Sequence, residues 1–477
     1  MLPTSGLGMG RQVEEYMPDN HDELRGKVRG ELILPKDANY DEARKLYNAM
    51  IDKRPSLIVR CVDVADVMAC VNYARDNGVL LAIRGGGHNG PGLGSCDGGL
   101  VIDLSRMRGV RVNPTARTAQ VEGGSVWGDV DHATHAFGQA VPSGIISTTG
   151  VGGLTLGGGI GHLSRSCGLT IDNLLSVDMV LADGSFITAD GEQNVDLFWA
   201  VRGGGGNFGV VTSFTFRTHP VHTVTAGPMF WPVEDAPEVM RRYEEFITHA
   251  SEEINGFFAF LVVPPVPLFP AELHMRNVCG IVWCSRADAA RTDELLKPTE
   301  KWPKPLLRGL GPMPFPVLQS LFDGLYVPGL QWYWKADFVD QLTDGAIAEH
   351  LKYGAKLPSM FSTMHLYPIN GAVHRKSAQD TPFSYRGTKF AEVIVGVDPD
   401  PASRDKIVNW ARSYWDAVHP HSAPGAYVNF MMEEGAARVE ATYGGNYARL
   451  QQVKSRYDPG NLFRVNQNIA PATAAAA

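Results

Sequence analysis

The feature of this sequence that most restricts its fold is a run of three consecutive glycines, residues 85–87. The apolar stretch before it, residues 79–83, is typical of a buried strand, so the glycines form the loop that follows. Glycine permits positive φ and brings bare N–H groups close to a ligand. Successive N–H groups of this kind form a concave anion site, which suits a pyrophosphate. His88 ends the run, where its imidazole is free to react.

Two further glycine-rich stretches, residues 150–161 and 203–206, indicate one long ligand that several separate loops contact. The sequence does not favour a Rossmann dinucleotide site. The G-x-G-x-x-G spacing fails at Thr155, and no strand and helix followed by an acidic residue are evident. We therefore expect a different architecture around these loops.

The pattern of strands and helices changes near residue 220. Before it, short strands alternate with helices, as where strand 57–62 precedes helix 64–77, which indicates an α/β unit. After it, long alternating runs such as residues 389–397 predict a mainly antiparallel sheet with helices on one face. The proline-rich residues 302–316 are predicted to form a surface loop or lid.

Together these motifs resemble the flavoproteins related to p-cresol methylhydroxylase and vanillyl alcohol oxidase, and most closely the berberine bridge enzyme-like branch. The resemblance is carried by residues 83–92, 147–165, 196–209 and 426–471. It implies an α+β fold, in which a two-piece α/β FAD-binding domain is interrupted by an antiparallel-sheet substrate domain. The expected divisions are an FAD-binding domain in residues 1–220, a substrate-binding domain in residues 221–422, and a C-terminal segment completing the FAD domain in residues 423–477.

The resemblance implies that FAD is joined covalently, at its 8α position, to His88. Many relatives carry a second link from a cysteine, but Ile146 holds that place here, so we expect attachment through His88 alone. Leu154 stands where a histidine often supports the flavin. Thr149 occupies the place that governs oxygen access, which leaves oxidase and dehydrogenase both open. The residues expected to bind FAD are His88, Arg84, Gly85, Gly86, Gly87, Asn89, Gly90, Thr148, Thr149, Gly150, Gly152, Gly153, Gly158, Gly161, His162, Asn207, Gly209, Val210, Asn446 and Tyr447.

The resemblance places Glu392 at the position of a catalytic base. Strand alternation puts Glu392 on one face with Phe390 and Ile394, and a buried carboxylate there would be more basic than in water. The alternative is an outward-facing glutamate on an edge strand. Tyr427, with Asn429 two residues on, is the second candidate for the base. Further pocket candidates, each explained better by core packing when taken singly, are Trp332, Tyr333, Trp334, His365 and Tyr367.

The resemblance therefore implies an FAD-dependent oxidoreductase that passes hydride from an alcohol, sugar or secondary-metabolite C–H to flavin N5. Oxygen or another acceptor then takes the electrons. Two alternatives stay open, namely oxidative cyclisation of a secondary metabolite and flavin binding without turnover.

Composition limits the partners and the compartment. The net charge of −8 gives no basic field for nucleic acid, and no run of ~18 apolar residues would span a membrane. No metal site is expected. Residues 1–19 show no signal peptide, which favours a cytoplasmic protein. The six cysteines lack CxxC spacing and are expected to be reduced, although Cys279 and Cys284 would pair if the protein were secreted.

Overall fold

The glycine run 85–87 follows an edge strand of a small sheet. In the computed structural model, which describes residues 21–472, this first sheet has the spatial order Glu31–Ile33, Leu57–Arg60, Leu100–Asp103 and Leu81–Arg84. The last three strands are parallel, and Glu31–Ile33 is antiparallel to its neighbour. Asp63 caps the helix Val64–Asp76, as its side chain accepts a hydrogen bond from the N–H of Asp66.

The second sheet is antiparallel throughout and completes the α/β part. Its spatial order is Val110–Asn113, Thr118–Glu122, Val210–Arg217, Leu174–Val180 and Phe186–Asp190. Two short strands, Gln139–Ala140 and His219–Pro220, pair with each other and form a separate two-stranded sheet. The central strand Val210–Arg217 begins shortly after the third glycine stretch ends at Gly206, so this sheet fixes where that loop emerges.

The third sheet is larger and also antiparallel. Its spatial order is Leu307–Arg308, Thr223–Pro232, Asn277–Ser285, Ile254–Val262, Thr363–Pro368, Phe390–Asp398 and Gln331–Val339, with Gly311–Pro314 also paired to Thr223–Pro232. The proline-rich residues 302–316 therefore supply two edge strands, and the prediction of a lid is wrong. Proline lacks an N–H, which is tolerated where a strand has one free side.

Fourteen α-helices surround these sheets within residues 21–472. They are His21–Lys27, Tyr40–Ala43, Val64–Asp76, Trp127–His135, Val151–Gly157, Ser164–Cys167, Val195–Val201, Ala236–His249, Ala289–Leu296, Phe315–Gln319, Asp344–Gly354, Arg404–Val418, Ala436–Tyr443 and Tyr447–Tyr457. No described helix is long and apolar enough to cross a membrane. The signal-peptide prediction for residues 1–19, and the parts of the predicted domains before residue 21 and after residue 472, lie outside the described residues.

One face of the third sheet packs against helices, as predicted. Residues of Ala236–His249, Asp344–Gly354 and Arg404–Val418 share a buried apolar cluster with Phe390 and Ile394 of the sheet. The opposite face is turned toward the glycine loops. The α+β fold predicted from the sequence is confirmed, while the domain divisions remain a prediction.

Candidate functional site

A cavity of about 340 Å³ lies where three separate parts of the chain meet. The glycine loops form one side, the open face of the third sheet forms another, and residues 463–467 near the C-terminus close it. Its lining is mostly apolar and aromatic with a few polar groups, which is typical of a site for a small molecule. This cavity is the candidate functional site.

The first two glycine loops touch each other through their backbones. A methyl group at Gly86 would overlap the backbone nitrogen of Gly150, and one at Gly150 would overlap that of Gly86. At Gly153 and Gly206, by contrast, an added methyl group would meet no protein atom within 4 Å, although both residues line the cavity. Some glycines thus bring the loops together, and others leave room for a ligand.

His88 lies in this cavity as a neutral imidazole. Its ring stacks on Tyr47, with 3.8 Å between the ring centroids. Thr148 Oγ1 lies 3.2 Å from Nε2, and Thr149 Oγ1 lies 3.5 Å from Nδ1. Burial lowers the pKa of His88 to about 4, because the charged imidazolium loses its hydration. At neutral pH one ring nitrogen therefore keeps the lone pair that a covalent bond needs.

The predicted cofactor residues divide into two groups by position. Those that line the cavity are His88, Gly85, Gly86, Gly87, Asn89, Thr149, Gly150, Gly152, Gly153, Asn207 and Gly209. Those that do not are Arg84, Gly90, Thr148, Gly158, Gly161, His162, Val210, Asn446 and Tyr447. Thr148 still contacts His88, and Val211, next to Val210, lines the cavity.

Several members of the second group have structural partners instead. Arg84 donates a buried hydrogen bond to Asp103, 2.7 Å away, which joins two neighbouring strands below the first glycine loop. Asn446 donates to the carbonyl oxygens of Ala378 and Thr381. His162 is fully buried, and burial lowers its pKa to about 3. None of these three residues lines the cavity, because a motif does not show which of its side chains turn inward, and their part in binding FAD remains a prediction.

Tyr427 and Asn429 both line the cavity and contact each other. The hydroxyl oxygen of Tyr427 accepts hydrogen bonds from the N–H of Gly159 at 2.8 Å and from Asn429 Nδ2 at 2.7 Å. The same amide nitrogen donates to the carbonyl oxygen of Leu154 at 3.0 Å. Burial outweighs these donors and raises the pKa of Tyr427 to about 12. Tyr427 is therefore protonated at neutral pH.

Glu392 is turned away from the cavity. Its neighbour Val393 lines the cavity, so alternation directs Glu392 to the other face, where Ile394 packs among helices. It is 1% exposed, and neither carboxylate oxygen has a hydrogen-bond partner within residues 21–472. Burial and the nearby charge of Asp337 raise the pKa of Glu392 well above its ordinary value.

The predicted position of Glu392 beside the substrate is therefore wrong. The alternative of an outward-facing residue on an edge strand is also wrong, because its strand lies between Thr363–Pro368 and Gln331–Val339. The shared face of Glu392 with Phe390 and Ile394 was predicted correctly. Which side of the sheet that face takes depends on the packing of distant helices, and strand alternation does not reveal it.

The structure also brings in residues that the sequence left undecided or missed. Trp332, Trp334, His365 and Tyr367 line the cavity, whereas Tyr333 lies on the opposite face and accepts a hydrogen bond from Arg412. Other lining residues, given no role or a structural one from the sequence, are Tyr47, Tyr326, Phe430, Asn466 and Gln467. The sequence already indicated both tryptophans as pocket candidates, whereas Asn466 and Gln467 belong to a stretch for which the resemblance implied only a structural role.

The lining has a chemistry that FAD fits. Among the described residues that line the cavity there is no Asp, Glu, Lys or Arg. An anionic pyrophosphate would be held by backbone N–H groups of the glycine loops, which need no cationic side chain. The buried Asn466 Oδ1 has no hydrogen-bond partner within residues 21–472, which leaves an acceptor for a ligand donor. The glycine loops and the available polar groups therefore suit a flavin nucleotide.

No cysteine lines the cavity within the described residues, and Ile146 does. All six cysteines are free. Cys279 and Cys284 lie on the same strand, one at an odd and the other at an even position, so their side chains point to opposite faces of the sheet. The disulfide expected for a secreted protein does not form between them.

Comparison with known proteins agrees with this geometry. A family model described as FAD binding domain matches residues 55–190, and one described as berberine and berberine like matches residues 426–470. YgaK, an uncharacterised FAD-linked oxidoreductase of Bacillus subtilis, is 30% identical over 93% of this chain and 98% of its own length. The FAD-linked oxidoreductase hasG of Aspergillus fumigatus is 36% identical, covering 90% of this chain and 94% of its own.

A solved structure is similar as well. The 6-hydroxy-D-nicotine oxidase of Arthrobacter nicotinovorans superposes with a TM-score of 0.83 at 25% identity, covering 93% of this chain and 98% of that one. The relatives are FAD-linked oxidoreductases, and the match spans nearly the whole of each chain.

Proposed function

We propose, for a chain that belongs to the berberine bridge enzyme-like family of FAD-linked oxidoreductases, that FAD is bound covalently through His88 alone and that a substrate alcohol or amine is oxidised in the cavity beside it. The observation that carries this proposal is the neutral His88 imidazole, set between two glycine loops whose backbones touch. When bound, FAD supplies the acceptor for the hydride that the substrate C–H loses. Oxygen or another acceptor would then take the electrons.

The chain's own residues hold His88 in place. Tyr47 covers one face of the ring, and the Tyr47 hydroxyl donates to the carbonyl oxygen of Tyr326 at 2.5 Å. The threonine hydroxyls at residues 148 and 149 lie near the two ring nitrogens, so one donates and the other accepts from a neutral imidazole. The two hydroxyl contacts and the stacked Tyr47 ring together hold the imidazole plane in one orientation. Ile146 offers no sulfur for a second bond, which is why we propose a single link.

Tyr427 is the proposed acceptor of the substrate's hydroxyl or amine proton. It lines the cavity, and two donors, the Gly159 N–H and Asn429 Nδ2, would stabilise its phenolate. Because its pKa is about 12, the ionised fraction of Tyr427 rises about tenfold for each unit by which the pH increases, as long as the pH stays below that value. Flavin reduction should therefore speed up as pH rises from 7 to 10.

Acid precipitation tests the covalent link. The purified protein is denatured in acid, and the visible absorption of the washed pellet is compared with that of the supernatant. The wild-type pellet should stay yellow, His88→Ala should release its FAD to the supernatant, and Cys167→Ala should behave as the wild type. A colourless wild-type pellet, or a yellow His88→Ala pellet, would reject the link.

Stopped-flow reduction tests the chemistry. Anaerobic protein is mixed with a panel of alcohols, amines and sugars, and bleaching of the flavin band is followed, with dithionite as the positive control. Substrates that bleach the flavin support oxidation, and the rate of recovery in air then separates oxidase from dehydrogenase. Bleaching by dithionite alone would reject turnover of these classes.

A further inference from the structure

The side chain of Asn48 joins the first glycine loop to the edge of the third sheet. Asn48 is 1% exposed, and its Nδ2 donates to the carbonyl oxygen of Gly90 at 2.8 Å and to that of Trp332 at 3.1 Å. Its Oδ1 accepts from the N–H of Trp332 at 3.1 Å and from that of Met50 at 3.0 Å. A side-chain amide has two donor hydrogens and two acceptor lone pairs, so Asn48 uses all of them on the backbone.

The two bonds to Trp332 take the place of a neighbouring strand. Gln331–Val339 is the last strand of the third sheet, and its outer edge has no strand beside it among the described residues. In an antiparallel pair, a residue exchanges both of its backbone hydrogen bonds with one partner, and the amide of Asn48 makes the same pair of bonds to Trp332. Asn48 therefore fixes how far this edge lies from Gly90.

The residues on either side of Asn48 bridge the same two elements. The ring of Tyr47 stacks on His88, and its N–H donates to the carbonyl oxygen of Gly87 at 3.3 Å. The N–H of Ala49 donates to the carbonyl oxygen of Leu330 at 2.9 Å. This stretch therefore contacts the glycine loop on one side and the start of the edge strand on the other.

The glycine loop and the sheet are packed closely where Asn48 joins them. A methyl group added at Gly90 would lie only 3.1 Å from the Trp334 ring. His88, Trp332 and Trp334 all line the cavity. A shift of the loop along the sheet would therefore change the shape of the cavity between them.

We infer that Asn48 is a positioning residue, whose amide sets the separation between the glycine loop that carries His88 and the sheet wall of the cavity. The inference rests on the proposed function, in which FAD is bound at His88 and the substrate lies between FAD and that wall. Asn48 lines no part of the cavity, and it acts through the backbones of Gly90 and Trp332. A displacement of about 1 Å between reacting groups can slow a reaction by about 10²-fold.

Two substitutions break the bridge by different means. Asn48→Asp keeps the shape of the side chain, but it places a carboxylate against the carbonyl oxygens of Gly90 and Trp332, to which it cannot donate. Asn48→Ser shortens the side chain and removes the amide donors without adding a charge. The second variant keeps the test available if the charged one does not fold.

Asn173→Ser is the matched control. Asn173 is 2% exposed, and its Nδ2 also donates to two backbone carbonyl oxygens, those of Cys167 and Leu169, each at 3.0 Å. None of these three residues lines the cavity. Asn173→Ser and Asn48→Ser should lose similar stability in urea unfolding, so a difference between their flavin spectra or rates reports where the lost amide lies.

The circular dichroism of the bound flavin in the visible region tests the inference without any substrate. This signal depends on the asymmetry of the groups around the flavin ring. Both Asn48 variants should change it, and Asn173→Ser should leave it as in the wild type. The difference between Asn48→Asp and the wild type should shrink as the pH falls from about 9 to about 6, because protonation of the buried new carboxyl group restores one donor.

Flavin reduction gives the second measurement. The probe is the compound of the alcohol, amine and sugar panel that reduces the wild-type flavin fastest, used anaerobically at saturating concentration. Asn48→Ser should reduce about 10²-fold more slowly than the wild type, while Asn173→Ser should stay within about twofold of it.

The outcomes separate this inference from the proposed function. Unchanged flavin dichroism in both Asn48 variants, or equal slowing by Asn48→Ser and Asn173→Ser, overturns the inference and leaves the oxidation standing. Failure of both Asn48 variants to fold also overturns it, because Asn48 would then be needed for folding rather than for alignment. If no panel compound reduces the wild type, the proposed oxidation fails, and the dichroism alone decides the inference.

Discussion

Replacing Tyr427 by phenylalanine removes one oxygen atom that two buried donors share. The Gly159 N–H has no other acceptor among the described residues, whereas Asn429 Nδ2 keeps the carbonyl oxygen of Leu154. An unsatisfied buried donor costs about 1–3 kcal/mol, so Tyr427→Phe should lose about that much stability, mostly through Gly159. If Tyr427 also accepts the substrate proton, flavin reduction should slow by about 10²–10⁴-fold.

Tyr443 provides a matched control for this substitution. It is buried in the same C-terminal segment, and its hydroxyl has no hydrogen-bond partner within residues 21–472. Tyr443→Phe should therefore leave both stability and rate close to wild type. Stability is read from urea unfolding, and rate from stopped-flow reduction between pH 7 and 10. Tyr427→Phe should also lose the rise of rate with pH, because the titrating phenol is gone.

Two results would refute this reasoning in different places. Equal stability of Tyr427→Phe and Tyr443→Phe would show that the phenol oxygen is not the acceptor for Gly159. An unchanged reduction rate and pH slope in Tyr427→Phe, with FAD retained, would show that another group takes the proton.

Three further substitutions probe the loops and the buried charges. Gly86→Ala should lower the free energy of unfolding by about 1–3 kcal/mol and lower the FAD content, because the added methyl group overlaps Gly150. The FAD content is measured as flavin absorbance per mole of protein. Lys454→Met should cost about 3–5 kcal/mol in urea unfolding, because it leaves the buried Asp458 carboxylate unpaired. Burial raises the folded-state pKa of Asp131 to about 8, so the wild type should lose stability as pH rises from 4 to about 8. Asp131→Asn should remove this loss, because its side chain does not ionise.

Each of these has a control or a contradicting result. Gly191→Ala, where an added methyl group meets nothing within 4 Å, should keep full FAD content. Lys454→Met with wild-type stability would contradict the buried pairing. Asp131→Asn should be more stable than the wild type at pH 9, and an identical pH profile would mean that Asp131 is not protonated in the folded protein.

Local chemistry explains most of what the sequence predicted about the fold. Asp63 caps a helix because its side chain reaches an N–H three residues away, and the end of the strand Leu81–Arg84 is marked by the glycines that follow it. The strand Phe390–Asp398 was also found from its alternation. Its orientation was not, because Glu392 and Val393 exchange faces if the sheet is turned over, and only the helices packed on one side decide that.

Contacts between distant parts of the chain account for the remaining misses. Lys454 Nζ donates to the carbonyl oxygens of Asn207 and Phe463, which joins the third glycine stretch to the chain's return near residues 463–467. That return brings Asn466 and Gln467 into the cavity wall. No motif within residues 463–467 predicts which loop Asn466 and Gln467 contact. A buried lysine at this junction is visible only in the folded chain.

Cofactor and substrate contacts lie on different parts of the structure. The groups proposed to hold FAD are backbone atoms of glycine loops and one imidazole. Such loops are easily recognised in a sequence, because they need several glycines close together. The opposite wall of the cavity consists of side chains on the open face of a sheet, where Trp334 and Tyr367 resemble ordinary core residues in the sequence. A change on that face should alter substrate preference and leave the FAD content of the protein unchanged. The family is therefore easier to recognise from sequence than the compound that the enzyme oxidises.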